Sequence, residues 1–141
     1  MRLWHIDLIP YLPKSQLLAQ WRELNSIFKK QDKHILINYV YDYPKTYLGF
    51  YTKKVIDEML ARNIKIKSYK NFEKYFSEYS NEYGAVQKIL SLIKQPKFAE
   101  HNDEYLTICY WNLREKYLRG QKDFLPELWN KLEKFYKEKT K

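Results

Sequence analysis

Leu17, Leu18, Trp21, Leu24 and Phe28 recur at the spacing of one face of an α-helix, in a stretch that opens just after Pro13. Such a stripe has to be buried, and it fixes the first regular element of the chain as a helix over residues 14–29. The remaining sequence invites the same architecture: only 3 Gly and 5 Pro stand among 141 residues, so few positions break a helix. A chain of this size buries roughly two thirds of its surface on folding, enough for one modest core. The expectation is an all-α fold, a compact single helical domain over residues 1–141.

The later elements are marked less evenly. The run His34-Ile35-Leu36-Ile37-Asn38-Tyr39-Val40-Tyr41 is β-branched and aromatic, so local propensity favours a strand. A lone strand would have no ladder partner, and a short helix or packed irregular segment is expected instead. Phe50, Val55, Met59 and Leu60 mark a second helix over 47–62, with Asn63 as its C-cap. A more polar run over 65–81 breaks the pattern before a third helix over 82–93, which Pro96 keeps from extending. A fourth helix over 102–118 has Asn102 as N-cap, Asp103 and Glu104 in its first turn and Gly120 beyond its end. The last begins near Pro126, a residue suited to the first helical position, and carries Leu128, Leu132, Phe135 and Tyr136.

A formal charge of +9, from 26 basic and 17 acidic side chains, makes an anionic partner such as nucleic acid plausible through steering and phosphate contacts. Lys outnumbers Arg by 21 to 5, so part of that charge is ordinary solubilising surface. The 14 Tyr and 4 Trp are many for this length. Those that are buried need partners for their polar tips, and the rest suit a groove rim or an interface of a homodimer as well as a monomer surface. Cys109 stands alone, which excludes an intrachain disulfide and reads as a buried small apolar residue. No window of 18 apolar residues and no signal-peptide pattern is present, so a cytoplasmic location is expected.

The candidate chemistry gathers near the start. Arg22 and Glu23 are adjacent and point about 100° apart on a helix, so they do not form a simple pair with one another. Gln16, Gln20, Glu23 and Ile27 share one face beside the apolar stripe, as a groove lining or as a solvated strip. Should the first residues fold back along this helix, Glu23 would come within reach of the α-amine of Met1. His5, His34 and His101 lack the spacing of a zinc site, and neither a metal nor another cofactor is expected. His101 could sit in the N-terminal turn of the fourth helix. There is no glycine-rich phosphate loop and no serine in a nucleophile-elbow context.

Arg22-Glu23-Leu24, preceded by Leu12 and by Leu17-Leu18-Ala19, resembles the N-terminal block of the pyrimidine dimer DNA glycosylase family, of the phage endonuclease V type. The likeness runs from Met1 to Phe28. It continues more loosely at Lys33-His34-Ile35, Tyr39-Val40-Tyr41, Ala61-Arg62-Asn63-Ile64 and Leu113-Arg114-Glu115-Lys116. The resemblance implies an all-helical fold and a glycosylase with abasic-site lyase activity on damaged pyrimidines in double-stranded DNA. It also implies an N-terminal amine that attacks the deoxyribose C1′ to form an imine, and a helix glutamate that moves the protons. Carried onto this chain, the catalytic pair is Met1 and Glu23, and Arg22 is a phosphate contact. Arg2, His5, Gln16, Ser26, His34 and Arg114 are the other expected DNA or substrate contacts. Three positions depart from the phage-type pattern: Arg2 replaces a small Thr and keeps Met1 in place, Gln16 replaces a histidine, and Ser26 replaces an arginine. Two other readings follow from the residues: a noncatalytic DNA-binding module on the same scaffold, and a small-ligand enzyme with Trp4, His5, Glu23, His34 and His101 around one pocket.

Overall fold

A computed structural model describes residues 1–80, 82–91 and 97–141, without the side chains of residues 89–91. The fold is all-α: six α-helices and two short 3₁₀ helices, with no strand among the described residues. After an extended start, a 3₁₀ helix over Ile6–Tyr11 leads into α1 (Lys14–Lys30). Pro13 at the cap offers no side-chain acceptor, and the Ser15 backbone N–H donates instead to Asp123 Oδ2 at 2.6 Å. One of the orphan donors of the first turn is thus satisfied from the far end of the chain.

The strand-like segment 34–41 forms a turn and a second 3₁₀ helix, Asn38–Asp42, that buries Ile37 and Val40. With no ladder partner at hand, burial of the branched side chains overrides strand propensity. Helix α2 (Lys45–Ala61) starts two residues before the expected position, directly after Pro44. It ends as the sequence implies: Asn63 takes φ 60°, the Ile64 N–H donates to the Met59 carbonyl (2.9 Å) and the Asn63 N–H to that of Leu60 (3.0 Å). This is the Schellman arrangement, with the left-handed residue one place beyond Arg62, the cap itself.

The polar run after residue 65 contains a short helix, α3 (Lys70–Tyr75), which the sequence reading passes over. Phe72 and Phe76 are buried there against Phe28 of α1, with ring centroids 5.7 Å away in each case. Helix α4 spans Tyr83–Ser91, and its expected end at Ile93 and stop at Pro96 lie outside the described residues. In α5 (Asp103–Leu118) the Asn102 side chain accepts from the Tyr105 N–H at 2.9 Å, the predicted cap. Helix α6 spans Pro126–Lys139 with Pro126 in its first turn.

The core forms where α1 packs on α2 and α3, and where the first 3₁₀ helix packs on α2 and α6. Cys109 is buried in it as a small apolar side chain. No described helix is long and apolar enough to cross a membrane.

Candidate active site

The first five residues run extended through the molecule, where an unpaired backbone would carry a heavy desolvation cost. Side chains from three helices satisfy it. From α1, Gln20 accepts the Trp4 N–H at Oε1 (2.9 Å) and donates from Nε2 to the Arg2 carbonyl (3.1 Å). From α2, the Tyr51 hydroxyl lies 2.8 Å from the Trp4 carbonyl and 2.7 Å from Gln20 Oε1, and donates its one proton to either. At α5, the Tyr105 hydroxyl donates to the Leu3 carbonyl. His101, in the residue before the α5 cap rather than in the helical turn, accepts the Ile6 N–H at Nδ1 (3.0 Å).

These bonds fix the tautomers of two histidines that are each only 1% exposed. His101 accepts at Nδ1, so its proton sits on Nε2 and points to the Tyr39 oxygen 2.8 Å away. His5 accepts the Asp7 N–H at Nδ1 (3.1 Å) and caps the 3₁₀ helix that follows. Burial, helped by the neighbouring His5 and Lys97, pushes His101 down to about 3. Burial also lowers His5, although Asp7 works against it. Both rings are neutral structural groups near neutral pH, tilted by 30° with centroids 5.5 Å apart.

The anchored segment brings the start of the chain to Glu23. The Glu23 carboxylate accepts from Gln20 Nε2 at 2.9 Å and from the Arg2 backbone N–H, and the Met1 α-amine acts on it electrostatically. Partial burial raises its pKa above the ordinary carboxylate value, and the amine charge, these hydrogen bonds and Arg22 temper the shift. A half-buried carboxyl with a raised pKa, beside an amine, is suited to proton exchange at milder pH than a free glutamate.

The other predicted residues are distributed unevenly around this pair. Arg22 is exposed on the same helix turn, and Gln16 is half-buried about two turns earlier. The Arg2 guanidinium turns inward over the rings of Trp4 (6.0 Å) and Tyr105 (5.8 Å). Ser26 donates to Asp32 near the end of α1. His34 is exposed and folded into its own turn, its N–H on Asn38 and its Nδ1 accepting from Leu36. Arg114 lies over the exposed ring of Trp111 on α5, 5.1 Å from its centroid. Ser26, His34 and Arg114 thus share no bond with the Met1–Glu23 group.

A single pocket of Trp4, His5, Glu23, His34 and His101 does not form, because His5 and His101 face the core while His34 faces solvent. A cavity of about 760 Å³ is lined by residues such as Ile9, Tyr11, Phe50 and Phe135 and takes in none of these five. Among the described residues no group of three or more His, Cys, Asp or Glu is placed to hold a metal ion.

Tyr51 and Tyr105 are the bracing positions that sequence reading passes over. Gln20 stands out there only as a member of the Glu23 face, three residues earlier, and His101 only as a pocket candidate rather than as a support of the Ile6 N–H. The two tyrosines are hidden in a generally tyrosine-rich composition.

No curated protein and no solved structure gives a match to the chain. The sequence model of the pyrimidine dimer DNA glycosylase family matches residues 1–72. That span takes in the anchored segment, Gln20, Arg22, Glu23 and Tyr51, while the bracing residues His101 and Tyr105 lie beyond it. A match over 72 of 141 residues, a span that includes Met1 and Glu23, establishes that the chain belongs to the pyrimidine dimer DNA glycosylase family.

Proposed function

We propose that the protein is a DNA glycosylase with abasic-site lyase activity, acting on damaged pyrimidines in double-stranded DNA through an imine on the Met1 α-amine. The observation that supports this reading is the charge of that amine acting on the half-buried Glu23 carboxyl, with the segment behind the amine held by Gln20. A neutral α-amine carries the lone pair that attack on a sugar carbon requires. It needs no side chain to act as a nucleophile.

The steps follow from these two groups. The amine nitrogen bonds to C1′ as the glycosidic bond breaks, and the base departs with the electron pair. The nitrogen then loses a proton, the C1′–O4′ bond opens and O4′ is protonated, leaving a protonated imine on an open-chain sugar. Glu23 in its acid form supplies the proton to O4′. As carboxylate it removes a proton from C2′, and the 3′ phosphate leaves by β-elimination. Water hydrolyses the imine and frees the amine. A duplex with one nucleotide turned out of the stack would admit the sugar to this pair. Arg22, exposed on the same turn of α1, carries the charge for a flanking phosphate.

Strand cleavage of a duplex with one abasic site tests the proposal. The wild type cuts it, while Glu23→Gln loses about 10²–10⁴-fold in rate, the usual worth of a general acid–base, and keeps its DNA binding. Tight, salt-sensitive binding with no cleavage by the wild type would make the protein a DNA-binding module. Neither binding nor cleavage would overturn both readings.

A further inference from the structure

The Gln20 side chain is 1% exposed and bonds on both edges at once. Its oxygen faces two donors, the Trp4 N–H and the Tyr51 hydroxyl, and its nitrogen faces two acceptors, the Arg2 carbonyl and Glu23 Oε2. The Trp4 N–H requires an acceptor on one side, and the Arg2 carbonyl requires a donor on the other. That pair of demands fixes the amide orientation without ambiguity. It also selects the residue type: a glutamate carboxylate has no proton for Arg2 and would set a second negative charge against Glu23, and an apolar side chain would leave four polar groups without this partner.

The amide is thereby bonded both to the carboxyl and to the Arg2 carbonyl, one residue on from the amine. Arg2 adds a second link between the two, since its N–H donates to Glu23 while its carbonyl accepts from Gln20. We propose that Gln20 is the positioning residue of the site, the joint that fixes the Met1 α-amine and the Glu23 carboxyl in register for attack and proton transfer. The role rests on the imine reading of the previous subsection. Tyr51 holds the opposite edge of the amide from α2, so the register is set from the core outward.

Single-turnover cleavage of an abasic duplex, followed across pH with Gln20→Glu, Gln20→Met and Tyr51→Phe, reads this role. A misplacement on the scale of 1 Å costs about 10²-fold in rate, and that loss is expected for Gln20→Glu and Gln20→Met at saturating DNA, with Kd little changed. The acid limb of the pH–rate profile moves upward in Gln20→Glu, because Glu23 loses a donor and gains a like charge. Tyr51→Phe, which removes only the support on the far edge of the amide, lowers the rate less than either Gln20 variant and leaves the acid limb in place. A folded Gln20→Glu with the wild-type rate and profile would overturn the assignment.

Titration of the Glu23 carboxyl carbon by NMR, in wild type and in whichever Gln20 variant folds, separates this claim from the activity. Its midpoint rises in the variant if Gln20 holds the carboxylate. An unchanged midpoint would overturn the assignment even in an active protein. A wild type without cleavage would refute the imine reading, while the titration still decides whether Gln20 holds Glu23.

Discussion

The two ends of the molecule are built by different means. Around residues 1–23 the chain is fixed by directional hydrogen bonds from buried polar side chains, each to a particular backbone group. Around α5 and α6 it is fixed by rings: Tyr110 stacks on Tyr136 at 3.8 Å and 7°, and Trp129 stacks on Tyr117 at 5.0 Å and 10°. Stacking supplies contact area with loose positional demands. Hydrogen bonds specify where an atom sits. The molecule uses the second kind along the segment that carries the proposed nucleophile, and the first where a scaffold has only to hold. His101 and Tyr105 connect the two regions, since both stand at the start of α5 and bond to the N-terminal segment.

Removing a ring from the second region should therefore lower stability and spare the chemistry. Trp129 is 6% exposed among Tyr110, Tyr117 and Phe124, and Trp129→Ala is expected to cost about 3–5 kcal/mol. Denaturant melts give the loss, and cleavage rate per folded molecule stays at the wild-type value. A rate that falls with Trp129→Ala in fully folded protein would erase the division between the regions.

Tyr51→Phe probes the first region. It leaves Gln20 Oε1 or the Trp4 carbonyl without its hydroxyl, a loss of about 1–3 kcal/mol in the same melts. A neutral outcome would mean that the anchoring of the N-terminal segment does not depend on this hydroxyl.

Acid should loosen the connection between the regions. His101 titrates at about 3 in the fold against an ordinary value of 6.5, so between these values the unfolded chain binds one proton more. Stability from this group is complete above about pH 6.5 and falls as pH drops towards about 3, by about 1.4 kcal/mol per pH unit. His5, also lowered, adds in the same direction. Urea melts at pH 7.5, 5.5 and 4.5 test the slope, and a flat profile would contradict the buried neutral pair.

The smallest effect belongs to the surface. Arg22→Ala should weaken DNA binding modestly and lower the salt slope of affinity by about 1, the loss of a single phosphate contact. An unchanged slope would remove Arg22 from the DNA-facing surface.

Much of this organisation is legible in the sequence, and the missing parts share a cause. The stripe of α1, the Asn102 cap and the left-handed Asn63 are local signals, readable from neighbours three or four residues away. Helix α3 escaped because its buried face is only Phe72 and Phe76, in a run whose other residues are polar. Glu23 could be singled out from the family resemblance and from its helix face. Its supports could not: the Ile6–His101 bond spans 95 residues and that of Tyr105 to Leu3 spans 102, and no local pattern encodes such a meeting. The Arg2 guanidinium over the Tyr105 ring is a meeting of the same long-range kind.

The most direct test of the account is borohydride trapping on a duplex carrying one abasic site, with the adduct mapped by peptide mass. The account predicts a covalent adduct on the Met1 nitrogen, absent when the α-amine is acetylated or when residues are added before Met1. An adduct that persists after that block, or that maps to a lysine, would contradict it.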